Sequence, residues 1–88
     1  MAITRFPKTQ LYDADLQIVT FAAYVGEETI GCSISLEALH DHFQGEILKP
    51  LHAFICNRPV IEHIAERLIN NRRFEADGCS VLIRTADC

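Results

Sequence analysis

The sequence has no window approaching roughly 18 continuous apolar residues, the length that a membrane-spanning helix requires. Its opening residues, MAITRFPKTQ, contain no basic segment followed by an apolar run, so neither export nor membrane insertion is indicated and a cytoplasmic protein is expected. There is no Cys-x-x-Cys, which removes the dithiol redox motif, although four cysteines are present: Cys32, Cys56, Cys79 and Cys88. In a reducing compartment these are expected as free thiols. Cys88 is not part of a prenylation box, which needs its cysteine four residues from the end. Basic charge is scarce, with eight Lys and Arg against twelve Asp and Glu and a net charge of −4. Residues 1–46 are net −5, and residues 47–88 are net +1. Such a chain is a poor general binder of phosphate backbones, whose affinity depends on neutralising several charges at once. No repeat, low-complexity tract or linker interrupts it, and one domain over residues 1–88 is expected.

What is present suits a compact fold. The 88 residues exceed the roughly 55 to 65 at which a single core becomes self-supporting, and 49% are hydrophobic. In LQIVTFAAYVGEETIGCSISL, residues 16–36, Val19, Phe21, Ala23 and Val25 alternate, and after Gly26 so do Ile30, Cys32, Ile34 and Leu36. This reads as a β-hairpin. A turn centred on Gly26-Glu27 pairs Val25 with Glu28, and one centred on Glu27-Glu28 pairs Val25 with Ile30; glycine at the first central position favours the former, as in a type II′ turn. The second face then holds Thr20, Ala22, Gly31, Ser33 and Ser35, with Ile18 and Tyr24 at its edges, and is either wet or lightly covered.

Ser35 reads as the N-cap of a short helix, LEALHDHF, with Glu37 in its first turn, an apolar side of Leu36, Leu39 and Phe43, and Gly45 at its end. From Glu46 to Arg73 the pattern is helical, but Ile47, Leu48, Leu51, Phe54 and Ile55 point roughly 75° away from Ile61, Ile64, Ala65, Leu68 and Ile69 on a helical wheel. The rotation falls at Asn57-Arg58-Pro59, where proline removes a backbone donor and suits the first turn of a new helix. This predicts a structural junction between two helices, with Asn57 capping the second. Pro50 suits the first turn of the preceding helix. Beyond the Asp77-Gly78 turn signal, Val81 and Ile83 mark a C-terminal strand, with a short pairing segment expected around Phe74. The fold class is α+β: a small antiparallel sheet, hairpin plus C-terminal strand, with two to three helices packed on one face.

Phe6-Pro7, Tyr12-Asp13, Val19, Phe21, Cys32-Ser33-Ile34-Ser35, Ala38-Leu39, Phe54, Asn57-Arg58, Ile61, Ile64-Ala65-Glu66 and Thr85-Ala86-Asp87 together resemble a family of short bacterial proteins known only as a domain of unknown function. The resemblance covers nearly the whole chain and implies an α+β fold without an assigned activity; some relatives carry the label transcriptional regulator. Pro59 and Cys88 depart from the pattern, which has a helix-compatible polar residue and an aromatic at those places.

The residues that could bear chemistry have plainer uses. His52 and Cys56 share a helix side, but His63 lies about 10 Å further along, beyond the reach of one ion, so no metal is expected. His40 and His42 point in different directions from the end of the short helix. No nucleophile context is recognisable, and neither catalysis nor a cofactor is expected. Arg58, Arg67, Arg72 and Arg73 are the candidate anion- or partner-binding residues, although cations also favour a helix C-terminus for electrostatic reasons, and Asn71 is placed to help end that helix. The reading is a small non-catalytic accessory or protein-interaction module, forming a homodimer through a sheet edge or the less polar sheet face. The alternative is a nucleic-acid-binding transcriptional regulator that uses the arginines.

Overall fold

The computed structural model describes residues 4–43 and 49–88. In chain order the elements are β1 (Thr4–Arg5), β2 (Leu11–Asp13), β3 (Ile18–Val25), β4 (Glu28–Ser35), α1 (Leu36–His42), α2 (Pro50–Cys56), α3 (Arg58–Asn70), β5 (Ser80–Ile83) and a closing 3₁₀ turn, Thr85–Asp87. This is an α+β fold in which the helices lie against one face of a mixed, mostly antiparallel sheet.

The hairpin of β3 and β4 closes in the register favoured by Gly26, pairing Val25 with Glu28, Ala23 with Ile30 and Phe21 with Cys32. Gly26 has φ +62 and Glu27 has no positive φ, the combination a type II′ turn uses. Alternation then divides the hairpin. Val19, Phe21, Ala23, Ile30, Cys32 and Ile34 are buried on the helix side, whereas Thr20, Ala22 and Ser33 stay partly exposed and Gly31 is exposed on the other.

Two short strands escape the sequence pattern. β1 and β2 share the outer edge of β3, pairing Thr4 with Val25 and Arg5 with Tyr24 at one end, and Leu11 with Thr20, Tyr12 with Val19 and Asp13 with Ile18 at the other. Between them the chain makes an excursion through Phe6 to Gln10 opposite the shorter stretch Phe21 to Ala23. Pro7, which cannot donate to a ladder, sits in that excursion, where an edge tolerates it. Asp13 Oδ1 accepts from the Asp15 and Leu16 amides at 3.0 and 3.1 Å, and Gln17 takes φ +54 to turn the chain into β3.

The sheet is mostly antiparallel, as expected, and the C-terminal strand is the exception. β5 runs parallel to β4, with Gly31 opposite Ser80, Cys32 opposite Val81 and Ile34 opposite Ile83. The segment holding the helices forms the crossover that a parallel pair needs. Phe74 lies in no strand, although the adjacent Glu75 amide donates to the Ser80 carbonyl at 2.8 Å.

Ser35 caps α1, its Oγ accepting from the Ala38 amide at 3.1 Å, and Ala38, Leu39 and Phe43 are buried below it. The expected helix end at Gly45, the helix start at Glu46 and the apolar roles of Ile47 and Leu48 lie outside the described residues. α2 begins at Pro50 and buries Ala53 and Phe54, but Leu51 and Ile55, expected on the same apolar side, are 36% and 51% exposed. A helix this short offers the sheet only a narrow stripe. α3 buries Ile61, Ile64, Ala65, Leu68 and Ile69, the predicted set. The ring of Phe54 lies 5.0 Å from that of Phe21, which lies 6.2 Å from that of Phe6, so aromatic contacts run from α2 through the sheet to the edge excursion. Each such pair contributes about 1 kcal/mol beyond its area burial.

α3 ends in a paired 6→1 and 5→2 arrangement, Arg73 N–H donating to Leu68 O at 2.9 Å and Arg72 N–H to Ile69 O at 3.0 Å. The left-handed position this requires is taken by Arg72, at φ +54, and not by a glycine; Asn71, expected to help end the helix, is the C-cap at φ −89. An L side chain is strained there. Arg72→Gly is therefore expected to raise stability by about 1 kcal/mol, read as a higher denaturant midpoint with unchanged cooperativity.

Candidate functional site

Asn57 is the hinge residue between α2 and α3, with φ −116 and ψ 15. Its carbonyl accepts from Ile61 at 3.1 Å and so starts the α3 ladder, and Pro59 in the first turn sacrifices no intrahelical bond. The expected side-chain cap is absent. Asn57 Nδ2 instead donates to the carbonyls of Ala53, at 2.9 Å, and Phe43, at 3.2 Å, which fastens the end of α2 to the end of α1.

Arg58 points the other way, toward the edge excursion. Its guanidinium donates from Nε to Glu62 Oε2 at 2.7 Å, from Nη1 to Gln10 Oε1 at 2.7 Å and from Nη2 to the Pro7 carbonyl. It also stands 5.2 Å from the centroid of the Phe54 ring. With the side chain only 14% exposed, these partners supply what water would otherwise give. Arg58 thus clamps the N-terminal segment to the helical layer.

The four candidate arginines do not form one patch. Arg58 begins α3 and Arg72 and Arg73 follow its end, about 20 Å away at the helical rise. Arg67 lies between them, in the last turn, and donates from Nη2 to the Asp87 carbonyl at 2.5 Å. Arg84, which carried no expectation, joins Arg73 beside a small depression at the β5 edge, where its two Nη atoms bind Glu75 at 2.6 and 3.0 Å. His52, Cys56 and His63 are exposed, and His42 and His63 line a shallow groove with Phe43, Val60 and Cys88. Among the described residues, no group of three or more His, Cys, Asp or Glu has the geometry to hold a metal ion.

The electrostatics follow these contacts. The hydrogen bond from Arg84 holds the Glu75 carboxyl below its usual range, and the Ser80 hydroxyl, followed by the Cys79 and Ser80 amides, does the same for Asp77. Burial pushes the Cys32 thiol up to about 12, and burial followed by the Asp87 charge raises Cys88. A thiol so raised is a poor nucleophile at neutral pH.

A further candidate surface is the face of the sheet turned away from the helices. Its residues fall in rows set by the strand registers: Leu11, Thr20, Ser33 and Leu82 in one, Asp13, Ile18 and Ser35 in a second, Ala22, Gly31 and Ser80 in a third. Arg5, Tyr24 and Thr29 form the fourth. The middle of this face is small and uncharged. Leu11 is 66% exposed at its edge, and Leu16, in the turn after β2, is 67% exposed. The small residues of β3 and β4 were legible as a second face; the β2 edge strand, and hence Leu11 on it, was not, and for the expected C-terminal strand the parallel pairing with β4 that places Leu82 there was not.

The sequence matches, over residues 4–82, the model of a family described as protein of unknown function (DUF1488), in agreement with the resemblance carried by its motifs. It is also similar to a crystal structure of a protein of unknown function from the DUF1488 family from Shewanella loihica PV-4, at 27% identity and TM-score 0.79, with 92% of each chain covered. No curated protein matches.

Two expectations follow from the clamp and the paired carboxylates. Arg58→Met keeps the contact with Phe54 but strands its three oxygen partners, and is expected to lose about 1.5 to 3 kcal/mol of stability, with amide exchange accelerating first over β1 and β2. Arg58→Lys restores only part, because one ammonium cannot match the fork. Glu75 and Asp77 have folded pKa values below their unfolded ones, so the stability they contribute is present above the unfolded range and is lost as pH falls through the folded values. Unfolding midpoints are expected to drop on acidification below about pH 4, and the double change Glu75→Gln and Asp77→Asn to shrink that drop.

Proposed function

We propose that the chain, which belongs to the DUF1488 family of proteins of unknown function, is a non-catalytic protein-interaction module whose working surface is the open face of its sheet. Gly31 carries this reading. It sits inside β4 in the middle of that face, away from any turn, and its φ is not in the left-handed region. A Cβ added there would stand 3.8 Å from the Ser80 Cβ, an ordinary contact. Neither backbone nor space within the chain demands glycine, yet glycine inside a strand is destabilising by roughly 0.5 to 1 kcal/mol relative to alanine. Close approach by another molecule gives such a glycine a use.

The uncharged middle of the face and the exposed Leu11 and Tyr24 support the same reading, since desolvated interface centres are depleted in charge and enriched in aromatics. The arginines offer less to a partner, because Arg58 is engaged within the fold and Arg67 holds Asp87.

Amide spectra of isotope-labelled chain in a native-host lysate test the reading. Signals of Thr20, Ala22, Gly31 and Ser33 are expected to shift or broaden relative to dilute buffer, and Ser33→Glu to abolish the effect. Changes centred instead on Arg67, Arg72 and Arg73, and removed by salt, would overturn it in favour of nucleic acid.

A further inference from the structure

The registers assign not only a surface but an arrangement of opposites across it. The row Leu11, Thr20, Ser33, Leu82 is apolar at both ends and small in the middle. At its Leu82 end, a depression of about 430 Å³ is lined by Ser35, Leu82, Arg84, Thr85 and Ala86 with Glu37. At its other end, Leu11 projects into solvent. Charge is arranged in the same crossed sense. Arg84, one residue beyond the pairing of Ile34 with Ile83 and extended at φ −106 and ψ 167, is level with Ser35, and so with Ile18 and Asp13 across the sheet. At the opposite end Arg5 occupies the β1 edge, and the turn bearing Asp77 leads into β5.

We propose that the open face binds a second copy of this chain, face to face, about a two-fold axis parallel to the strands and midway between β3 and β4. The proposal rests on the reading of that face as the working surface and specifies its partner. Such an axis reverses every row. Leu11 of each copy enters the Leu82 depression of the other, Thr20 meets Ser33, and Ala22 meets Gly31, where the missing side chain lets the sheets draw together. Arg5 comes over the side of the second copy that carries Asp77, so that unlike charges meet at those two corners, and Asp13 comes over Arg84 of the second copy, sharing its guanidinium with Glu75 of that copy. An axis parallel to the strands also leaves the two sheets in the aligned orientation that packed sheets adopt.

The area is small. β3 and β4 are eight residues long, but β5 has four and the outer edge two and three. At about 4.8 Å between strands and 3.3 Å per residue they cover roughly 400 Å² per copy, so the pair buries about 800 Å², in the range of weak, transient contacts. The dimer is accordingly weak and concentration-dependent, with a dissociation constant of about micromolar or above.

Sedimentation velocity on the purified chain, from about 5 µM to about 1 mM, is expected to show the mass moving from one copy to two. Leu11→Glu, at an exposed edge position, is expected to raise the dissociation constant at least about ten-fold without altering the amide spectrum of the monomer. Arg84→Asp, which leaves Glu75 without its partner and turns that corner wholly acidic under Asp13 of the other copy, is expected to weaken self-association by about ten-fold or more. Mixing it with Asp13→Arg is expected to restore dimerisation, since the new arginine then lies over that acidic corner. Failure of the Asp13→Arg chain to draw the Arg84→Asp chain into mixed dimers, with both folded by their amide spectra, would overturn the geometry. A wild-type chain that stays monomeric throughout would overturn self-pairing altogether. If lysate shifts over Thr20 to Ser33 then persist, the interaction module stands with another partner; if they vanish as well, that reading falls too.

Discussion

The eight-residue hairpin of β3 and β4 can close in only one register with Gly26 at the first turn position, and most of the molecule is organised by that fact. A slip of one residue would send Val19, Phe21 and Ala23 to the solvent side and Thr20 and Ala22 to the helices, exchanging core for surface along the whole sheet. A slip of two would preserve the faces and still displace every row. β2 finds Thr20, Val19 and Ile18 opposite it only because β3 is fixed, and β5 finds Gly31 to Ile34 only because β4 is. The core is thus a consequence of turn chemistry as much as of hydrophobicity. Val19, Ile34, Val81 and Ile83 are fully buried because the register stacks them under the same helices.

The helical layer has to follow a twisted sheet, and it does so by breaking. One straight helix through Pro59 would carry the α2 stripe away from the sheet as the stripe of α3 came into position. The hinge at Asn57 re-aims the chain between them, and the two side chains at the break then fasten it in opposite directions: Asn57 inward to the α1 and α2 carbonyls, Arg58 outward to Pro7 and Gln10. Short edge strands with few ladder bonds are weak by themselves. Here a single guanidinium, reaching across 51 residues of sequence to the Pro7 carbonyl, supplies an anchor that two residues of β1 and three of β2 cannot. The acidic N-terminal half is thereby joined to the more basic second half through hydrogen bonds in fixed geometry and not through diffuse attraction.

This explains which features could be read from the sequence. Local rules with a short reach were sufficient for the Gly26 register, for Ser35 as a cap, for the interruption before Pro59 and for the buried stripe of α3. Features decided between distant segments were not legible. Val81 and Ile83 alternate identically in a parallel or an antiparallel strand, so the direction of β5 depends on where the crossover delivers it. Thr4–Arg5 and Leu11–Asp13 are too short to show a period, and Pro7 disguises their common edge. Leu51 and Ile55 fell on the predicted stripe because a wheel records direction alone; whether anything covers that direction depends on the width of the sheet beneath. Arg58 was grouped with other arginines by proximity in sequence, whereas its partners lie at residues 7 and 10.

The second face of the sheet is where the stability of the single chain and the choice of residues diverge. A chain of this length has helices enough for one face, and the other must be kept from indiscriminate pairing. Thr20, Ser33, Ser35 and Ser80 accomplish that with hydroxyls, but the same end would be served by larger polar or charged side chains, which also pack better on a strand. The sequence instead keeps this region low, and places glycine in the strand interior at Gly31, where the isolated fold has no need of it. At the end of α3 the preference is inverted: Arg72 occupies a left-handed position that glycine would take without strain. Departures from local preference that the fold itself does not require are expected where a surface has work to do. Of the two, Gly31 lies at the centre of a broad uncharged face, with a projecting leucine on one side and a depression on the other, and there the departure has a geometry that can use it.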